Sequence, residues 1–523
     1  MKTRLLTATA LAGALALPGA LPALAQDPVS ITVNMVQIIG TIDPAKVTDY
    51  TEYMAAVNLY DALTTVDGDG NVVPQLAESW EISDDGLTYT FTLKEGATFT
   101  DGSAVQASDV VFSLQRLLAL GQGASHLFEG VVDPDAVRAV DDLTVEITLT
   151  EVFAPFISVT PLLFVVNESA VPTSDDDPWG EAHLAETPEG AGPYTLASWS
   201  RGSEMNIARN EAYHGGWPDE RPIDAVRLVV TRDESTVRAL ARRGELGLSS
   251  QYQSSETFDG IAAQDDYRLI EASTATGYYL KINNQRAPTD DIHIRRAIAL
   301  ATDYDTIRDV IIPGGVMRGP LADAFADAVP EDAAGPVFDL DAARAELEQS
   351  RYFDGSPIEL IHTHVANTAF QEEIALLLTA NLEAIGFSVT IQPEPWNRVT
   401  ELATSVETTP HFSQVFYGPT YPSPDSVFFV QYHSASAGTW ASMDWVNDPE
   451  VDALIDATRA ETDPDARNAL YQEVFNKLVE DQRSIWMLAQ QQRHAAHVCL
   501  EGFEWVPMQS VEFDFSRYYW TCD

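Results

Sequence analysis

The sequence predicts an α/β protein in which parallel sheets are covered by helices and shared among more than one domain. Three observations carry that expectation. Strand-like and helix-like segments alternate through the later part of the chain, the order that builds parallel sheets flanked by helices. The early part instead places two turn clusters between short alternating runs, which reads as antiparallel hairpins. The chain has 523 residues and 45% hydrophobic content, more than one core accommodates, so two or three domains are expected.

Taken in order, Ile31–Val36 reads as a buried strand that Thr41-Ile42-Asp43-Pro44 ends in a turn. Met54, Val57, Asn58 and Asp61 give helical spacing from Tyr53 to Leu63. The turn clusters Asp67-Gly68-Asp69-Gly70-Asn71 and Ser83-Asp84-Asp85-Gly86 follow, with Trp80-Glu81-Ile82 and Thr88–Leu93 alternating as strands do. Ser108 and Asp109 are expected to cap a helix through Val111, Leu114 and Leu118, and Val145–Leu149 is the next strand. Gly190, Gly192 and Pro193 mark a crossover into Tyr194-Thr195-Leu196. Ile223–Val230 then feeds a helix over Ser235–Arg243, and Tyr278–Ile282 a helix over Ile292–Thr302. A strand-helix-strand unit spans Ile358–His362, Gln371–Ile385 and Phe387–Ile391, with Gly386 where a left-handed residue ends the helix. Helical spacing returns over Pro449–Arg459 and Asp465–Gln482.

Charge excludes one class of partner. Against 30 basic residues stand 79 acidic ones, a formal net charge of −49, so there is no basic surface to displace counterions from a nucleic acid. At the N-terminus Lys2 and Arg4 precede an apolar run to Leu21, and Ala23-Leu24-Ala25 supplies the small residues of a cleavage site before Gln26. The run is short and broken by Gly13, Pro18 and Gly19, so a cleavable leader over residues 1–25 is expected rather than an anchor. Two Cys, Cys499 and Cys522, are the whole complement. In an exported chain they are expected to form a disulfide, closing a loop of about 24 residues worth roughly 3 kcal/mol; a two-thiol metal site is the alternative.

Several segments then resemble one family. They are Val73-Pro74-Gln75-Leu76-Ala77-Glu78-Ser79-Trp80 running on to Phe91, Phe99-Thr100-Asp101-Gly102-Ser103, Ser108–Ser113, Gly190-Ala191-Gly192-Pro193-Tyr194, and Asn283-Asn284 followed by Ile294–Ile298. The chain is similar to the family 5 extracellular solute-binding proteins, the peptide/nickel/opine group that serves ABC importers. The resemblance implies an α/β, periplasmic-binding-protein-like fold: two mixed-sheet lobes around a hinge plus a smaller third domain. Lobe I would comprise 26–66, 190–278 and 489–523, the small domain 67–189, and lobe II 279–488. It further implies a soluble, monomeric periplasmic protein that closes on a small-molecule solute, transforms nothing, needs no cofactor, and works with ABC permease membrane subunits. A peptide-like or opine-like solute is the leading expectation. A nickel or other metal chelate and an oligosaccharide are alternatives on the same fold, and a secreted hydrolase is the rival of another class.

The resemblance also suggests where ligand would touch. Trp396 would form an aromatic wall, and Tyr417, Gly418, Thr420 and Tyr421 a loop across the ligand. Tyr278, Tyr252 and Gln253 fall at crossover positions, Gln37 and Ile38 follow the first strand, and Trp440 follows the loop. Aromatic walls with few polar groups suit a small-molecule pocket, although each residue could equally be ordinary packing. Thr420 occupies the slot where peptide-binding relatives place the Asp that pairs with an α-ammonium. Ala403 and Gln414 occupy slots where some relatives place carboxylate-binding Arg. Unpaired buried charge costs several kcal/mol, so a free-ended peptide is disfavoured.

Other signals point to little. His362 and His364 share one strand face and could ligate a metal, and His411 and His433 flank the loop containing Tyr417 to Tyr421. Asp67, Asp69, Asn71 and Glu78 match calcium-loop positions, but Val72 stands where Gly is needed, so a hairpin turn accounts for them. The chain lacks a nucleophile elbow, a zinc-protease helix, a phosphate-cradling loop and a paired-Cys zinc motif.

Overall fold

The computed structural model describes residues 28–366, 368–508 and 511–522. The expected leader lies outside the described residues.

An eleven-stranded mixed sheet runs through the molecule. In its first half Ser30–Met35 lies parallel to both Ala225–Val230 and Leu246–Leu248, and the antiparallel strands Glu204–Arg209 and Tyr194–Ser200 extend the edge. In its second half Ile358–Val365 lies parallel to both Phe387–Glu394 and Phe412–Tyr417. Two long antiparallel strands, Tyr267–Ile282 and Ser484–His497, belong to both halves. Residues 267–273 pair with 491–497 in the first half, and 277–281 with 484–489 in the second. Between them the ladder breaks, shifting register from Ser273 to Gly277 and again from Tyr278 to Tyr279.

A separate four-stranded antiparallel sheet is ordered Ala77–Ile82, Thr88–Leu93, Thr144–Leu149, Val132–Asp141. The helix Ala107–Leu120 packs on it. One hydrophobic core joins this sheet to the first half of the large sheet, a smaller one packs Glu234–Arg242 and Ser255–Ala262 on that half through Leu246, Tyr267 and Ala495, and the second half has a core on each face. The hairpin Thr64–Val66/Val72–Pro74 turns through Asp67, whose Oδ1 accepts the N–H groups of Asp69 and Asn71.

Two of the helix boundaries that differ from expectation have a visible cause. The first helix is Tyr50–Leu59 and stops short of Leu63, because the chain leaves it to pair with a neighbouring segment: Leu63 N–H donates to Leu163 and Val165 N–H to Asp61. The next helix is capped at Gln106 rather than at Ser108 and Asp109. Asp109 lies inside the first turn, accepting the N–H of Gln106 at 2.8 Å and of Glu168 at 3.0 Å. Part of the chain's acidity is absorbed at helix starts: Asp49, Asp233, Asp291, Asp339, Asp448 and Asp463 each accept a first-turn N–H. Such a cap is worth about 1 kcal/mol.

The second half is organised around a buried ion pair. Lys281 Nζ lies 2.8 Å from Asp444 and donates to Gln431 at 2.6 Å, and Asp444 also accepts the N–H of Ile282. Burial pushes the Lys281 pKa down and the Asp444 pKa up; removing either partner of such a pair costs about 3–5 kcal/mol. At the C-terminus Cys499 and Cys522 form a disulfide with Cα atoms 5.3 Å apart. It closes the tail beside a three-stranded sheet of Arg221–Pro222, Tyr519–Trp520 and Leu500–Glu501.

Candidate functional site

The register of the sheet sets where a site can form. After Leu248, which pairs with Ala496, the chain runs antiparallel to Ser484–His497 toward the break, with Ser249 N–H on Ala495 and Gln251 Oε1 on Gln492 Nε2. The carboxyl ends of Ser30–Met35 and Ala225–Val230 lie on the same side, since both strands are parallel to this partner or to its neighbour. In the second half Tyr417, at the carboxyl end of Phe412–Tyr417, pairs with Gly277 at the break. Parallel to it through Ile358–Val365, the strand Phe387–Glu394 carries Trp396 just beyond its own carboxyl end. The carboxyl ends of both parallel sets therefore converge on the crossover of the two long strands. In open α/β sheets that is where ligands bind.

On the first-half side lies a cleft of about 310 Å³ lined by Val36, Gln37, Arg232, Glu234, Tyr252 and Gln253. Three of these, Gln37, Tyr252 and Gln253, are among the sequence-based candidates; Ile38, beside Gln37, is half exposed. Tyr252 is also half exposed and meets Tyr50 edge-on at 6.0 Å. Glu234 is held by the structure: its carboxylate accepts from Ser254 N–H, Ser254 Oγ and Thr257 Oγ1. Despite its burial, these bonds hold its pKa below the usual value.

On the second-half side Trp396 is 42% exposed and meets Trp440 edge-on at 5.3 Å, and Trp440 in turn lies 6.1 Å from Tyr417. These three rings form a ledge with Trp396 outermost. Gly418 is exposed and approaches the crossover so closely that an added Cβ would stand 2.8 Å from Thr276 Oγ1. Thr420 is half-buried, its N–H donated to Ser426 Oγ at 2.9 Å.

Three expected contact residues sit differently. Tyr278 is fully buried, stacked on Phe416 at 4.1 Å with its hydroxyl donated to Gln414 at 2.7 Å. Its place in the strand turns it into the second-half core instead of the cleft. Tyr421 is buried in the core of the first half, its hydroxyl on Asp425 at 2.6 Å. Tyr417 is nearly buried and its hydroxyl donates to the backbone of Ser426 at 2.5 Å, so it supports Trp440 from behind. Ala403 and Gln414 are also buried; Gln414 donates to His362 and to the carbonyl of Gln371.

The histidines are packed. His362 is fully buried, which pushes its pKa down to about 3, and its ring lies 6.3 Å from that of His364. His411 accepts the N–H of Ile361, and burial, then the nearby Arg286, lowers its pKa to about 4. His433 lies 3.3 Å from Asp456 and stacks on Phe429. Among the described residues no group of three or more His, Cys, Asp or Glu could hold a metal ion. Sequence reasoning missed Arg232, Glu234 and Asn34. An Arg before an Asp-capped helix was the available signal, but only the fold brings it beside Gln37 and Gln253.

Residues 71–439 match the bacterial extracellular solute-binding proteins, family 5. The chain belongs to that family. It is 26% identical over 486 residues to the "Probable D,D-dipeptide-binding periplasmic protein" of Escherichia coli, covering 91% of each chain. Among solved structures it superposes on the ABC transporter substrate-binding protein CtaP of Listeria monocytogenes with TM-score 0.84 at 21% identity, covering 95% of this chain and 100% of that one. It superposes on NikZ of Campylobacter jejuni, solved with nickel and L-histidine, with TM-score 0.78 at 18% identity, covering 94% and 99%. The chain is thus a solute-binding protein with the lobed fold of its family. No described helix is long and apolar enough to cross a membrane.

Proposed function

We propose that the chain captures a peptide-like or opine-like organic solute in the periplasm, as a monomer freed of its leader, and presents it unaltered to the membrane subunits of an ABC permease. The observation that carries this reading is the convergence of two sets of strand ends, one bearing the cleft and the other the Trp396–Trp440 ledge. Lobe I would be 26–66, 190–278 and 489–523, with the small domain 67–189 fused to it and lobe II 279–488 moving against both. A solute touching both lobes shifts the population toward the closed state by its differential affinity for it. The dipeptide-binding name of the Escherichia coli relative supports a peptide-like solute.

The ends of that solute are expected to be unusual. Thr420 offers no charge to an ammonium group, and the nearest acid in its loop, Asp425, is fully buried and committed to Tyr421 and Arg459. Unmodified di- to pentapeptides should therefore give no thermal shift, whereas N-blocked peptides or non-peptide solutes should. Binding should quench or shift the emission of the ten Trp saturably and without product. Tight binding of an unmodified peptide would overturn the end-group reading, and steady turnover would overturn the transport reading.

A further inference from the structure

Arg232 is the one basic residue among those lining the cleft. Arg227, Arg238 and Arg243 each hold a glutamate, Glu204, Glu234 and Glu245. Arg232, in a chain with 79 acidic residues, is paired with no carboxylate among the described residues. Its Nε donates to the carbonyl of Val36 at 2.9 Å, which fixes the planar head at the rim of the cleft and leaves the outer nitrogens uncommitted. The acid sharing the cleft, Glu234, is occupied by Ser254, Thr257 and Arg238. The cleft thus presents one available charge, and it is positive.

A second polar side chain, Gln253, lines the same cleft. Asn34 donates to the carbonyls of Met35 and Thr231, so its Oδ1 must be the acceptor toward Gln253 Nε2, at 2.9 Å. That fixes the Gln253 amide and leaves its Oε1 buried with no donor. An unsatisfied buried acceptor costs about 1–3 kcal/mol, a cost that a ligand N–H would remove.

We propose that Arg232 and Gln253 select a solute carrying a carboxylate beside a neutral N–H. Arg232 binds the carboxylate and Gln253 Oε1 accepts the N–H. The arrangement matches an N-acyl amino acid or the C-terminal end of an N-blocked dipeptide, and it restores on lobe I the cation absent at Ala403 and Gln414. This assignment rests on the solute-binding reading above and adds a chemical class to it.

The test uses calorimetric titration of the full chain with a panel of N-acetyl dipeptides, their C-terminal amides, and depsipeptides in which the linking N–H is replaced by oxygen. Some N-acetyl acids should bind, and amidation or Arg232→Gln should each weaken them at least tenfold. Arg232→Lys should retain part of the affinity for the acid, and the depsipeptides should bind several-fold more weakly than the amide-linked acids. Arg232 is exposed, so these variants should keep the parent's unfolding midpoint. Equal binding of acids and amides, an unchanged affinity in Arg232→Gln, or no binding by any N-acetyl acid would overturn the assignment. If free dipeptides or a metal chelate close the protein while the N-acetyl acids do not, this assignment falls and the solute-binding reading stands.

Discussion

His494 shows how far a single side chain's environment can be read as energy. It is fully buried, its Nδ1 2.7 Å from the carbonyl of Ser249, and burial lowers its pKa to about 4. In the unfolded chain the ring takes a proton near pH 6.5, whereas the folded ring stays neutral until about pH 4. Its contribution to stability is therefore full above pH 6.5 and falls as the pH drops through that window, by about 1.4 kcal/mol per unit. The stability advantage of the parent over His494→Gln, measured by urea unfolding, should shrink from pH 7 to pH 5; a constant difference would contradict it. Trp396 makes a different residue-scale prediction. If its exposed ring on the Trp440 ledge stacks on the solute, Trp396→Ala should cost about 1–3 kcal/mol of binding with little loss of fold stability. Unchanged affinity would make it packing alone. Side-chain direction is what sequence could not supply. Tyr278 and Tyr252 both fell at crossover positions, yet one faces a core and the other the cleft.

Among the elements, those with a buried face were legible and those that form the crossover were not. Ile358–Val365, Ala369–Ile385 and Phe387–Glu394 emerged as expected because their apolar spacing records burial. Of the strand Tyr267–Ile282 only Tyr278 onward was read, and Ser484–His497 was not read at all. Their middle stretches, Ser273-Thr274-Ala275-Thr276-Gly277 and Gln490-Gln491-Gln492-Arg493, are small or polar because they cross between cores. A second element-scale feature is the contact between the 150–155 turn and the helix Pro449–Ala460. Arg459 lies over Phe153, in the first core, and over Phe429, against the second, at 4.7 and 3.9 Å, and stands 3.5 Å from Asp425. Its carbonyl accepts the N–H of Ala154. Cation–π contacts of this kind are worth about 0.5–2 kcal/mol. If the lobes separate without solute, Arg459→Ala should weaken solute binding by roughly 2- to 30-fold, though the residue lines no cleft. Unaltered affinity in calorimetry would show that this contact persists in the open state.

At the scale of the whole molecule the fold is two half-sheets sharing two strands, with the register of those strands broken between the cores. Ladder hydrogen bonds resist bending, so the break at Ser273–Tyr279 is where rotation costs least. The small antiparallel sheet shares its core with the first half and should move with it. The disulfide pins the C-terminal tail beyond the end of Ser484–His497, and its reduction should lower thermal stability by roughly 3 kcal/mol. All of this depends on movement of one half against the other. Small-angle X-ray scattering with and without a solute taken from the binding screens tests that most directly. A smaller radius of gyration at saturation, reversed by dialysis with the solute recovered intact, is the expected result; an identical envelope in both states would contradict the account.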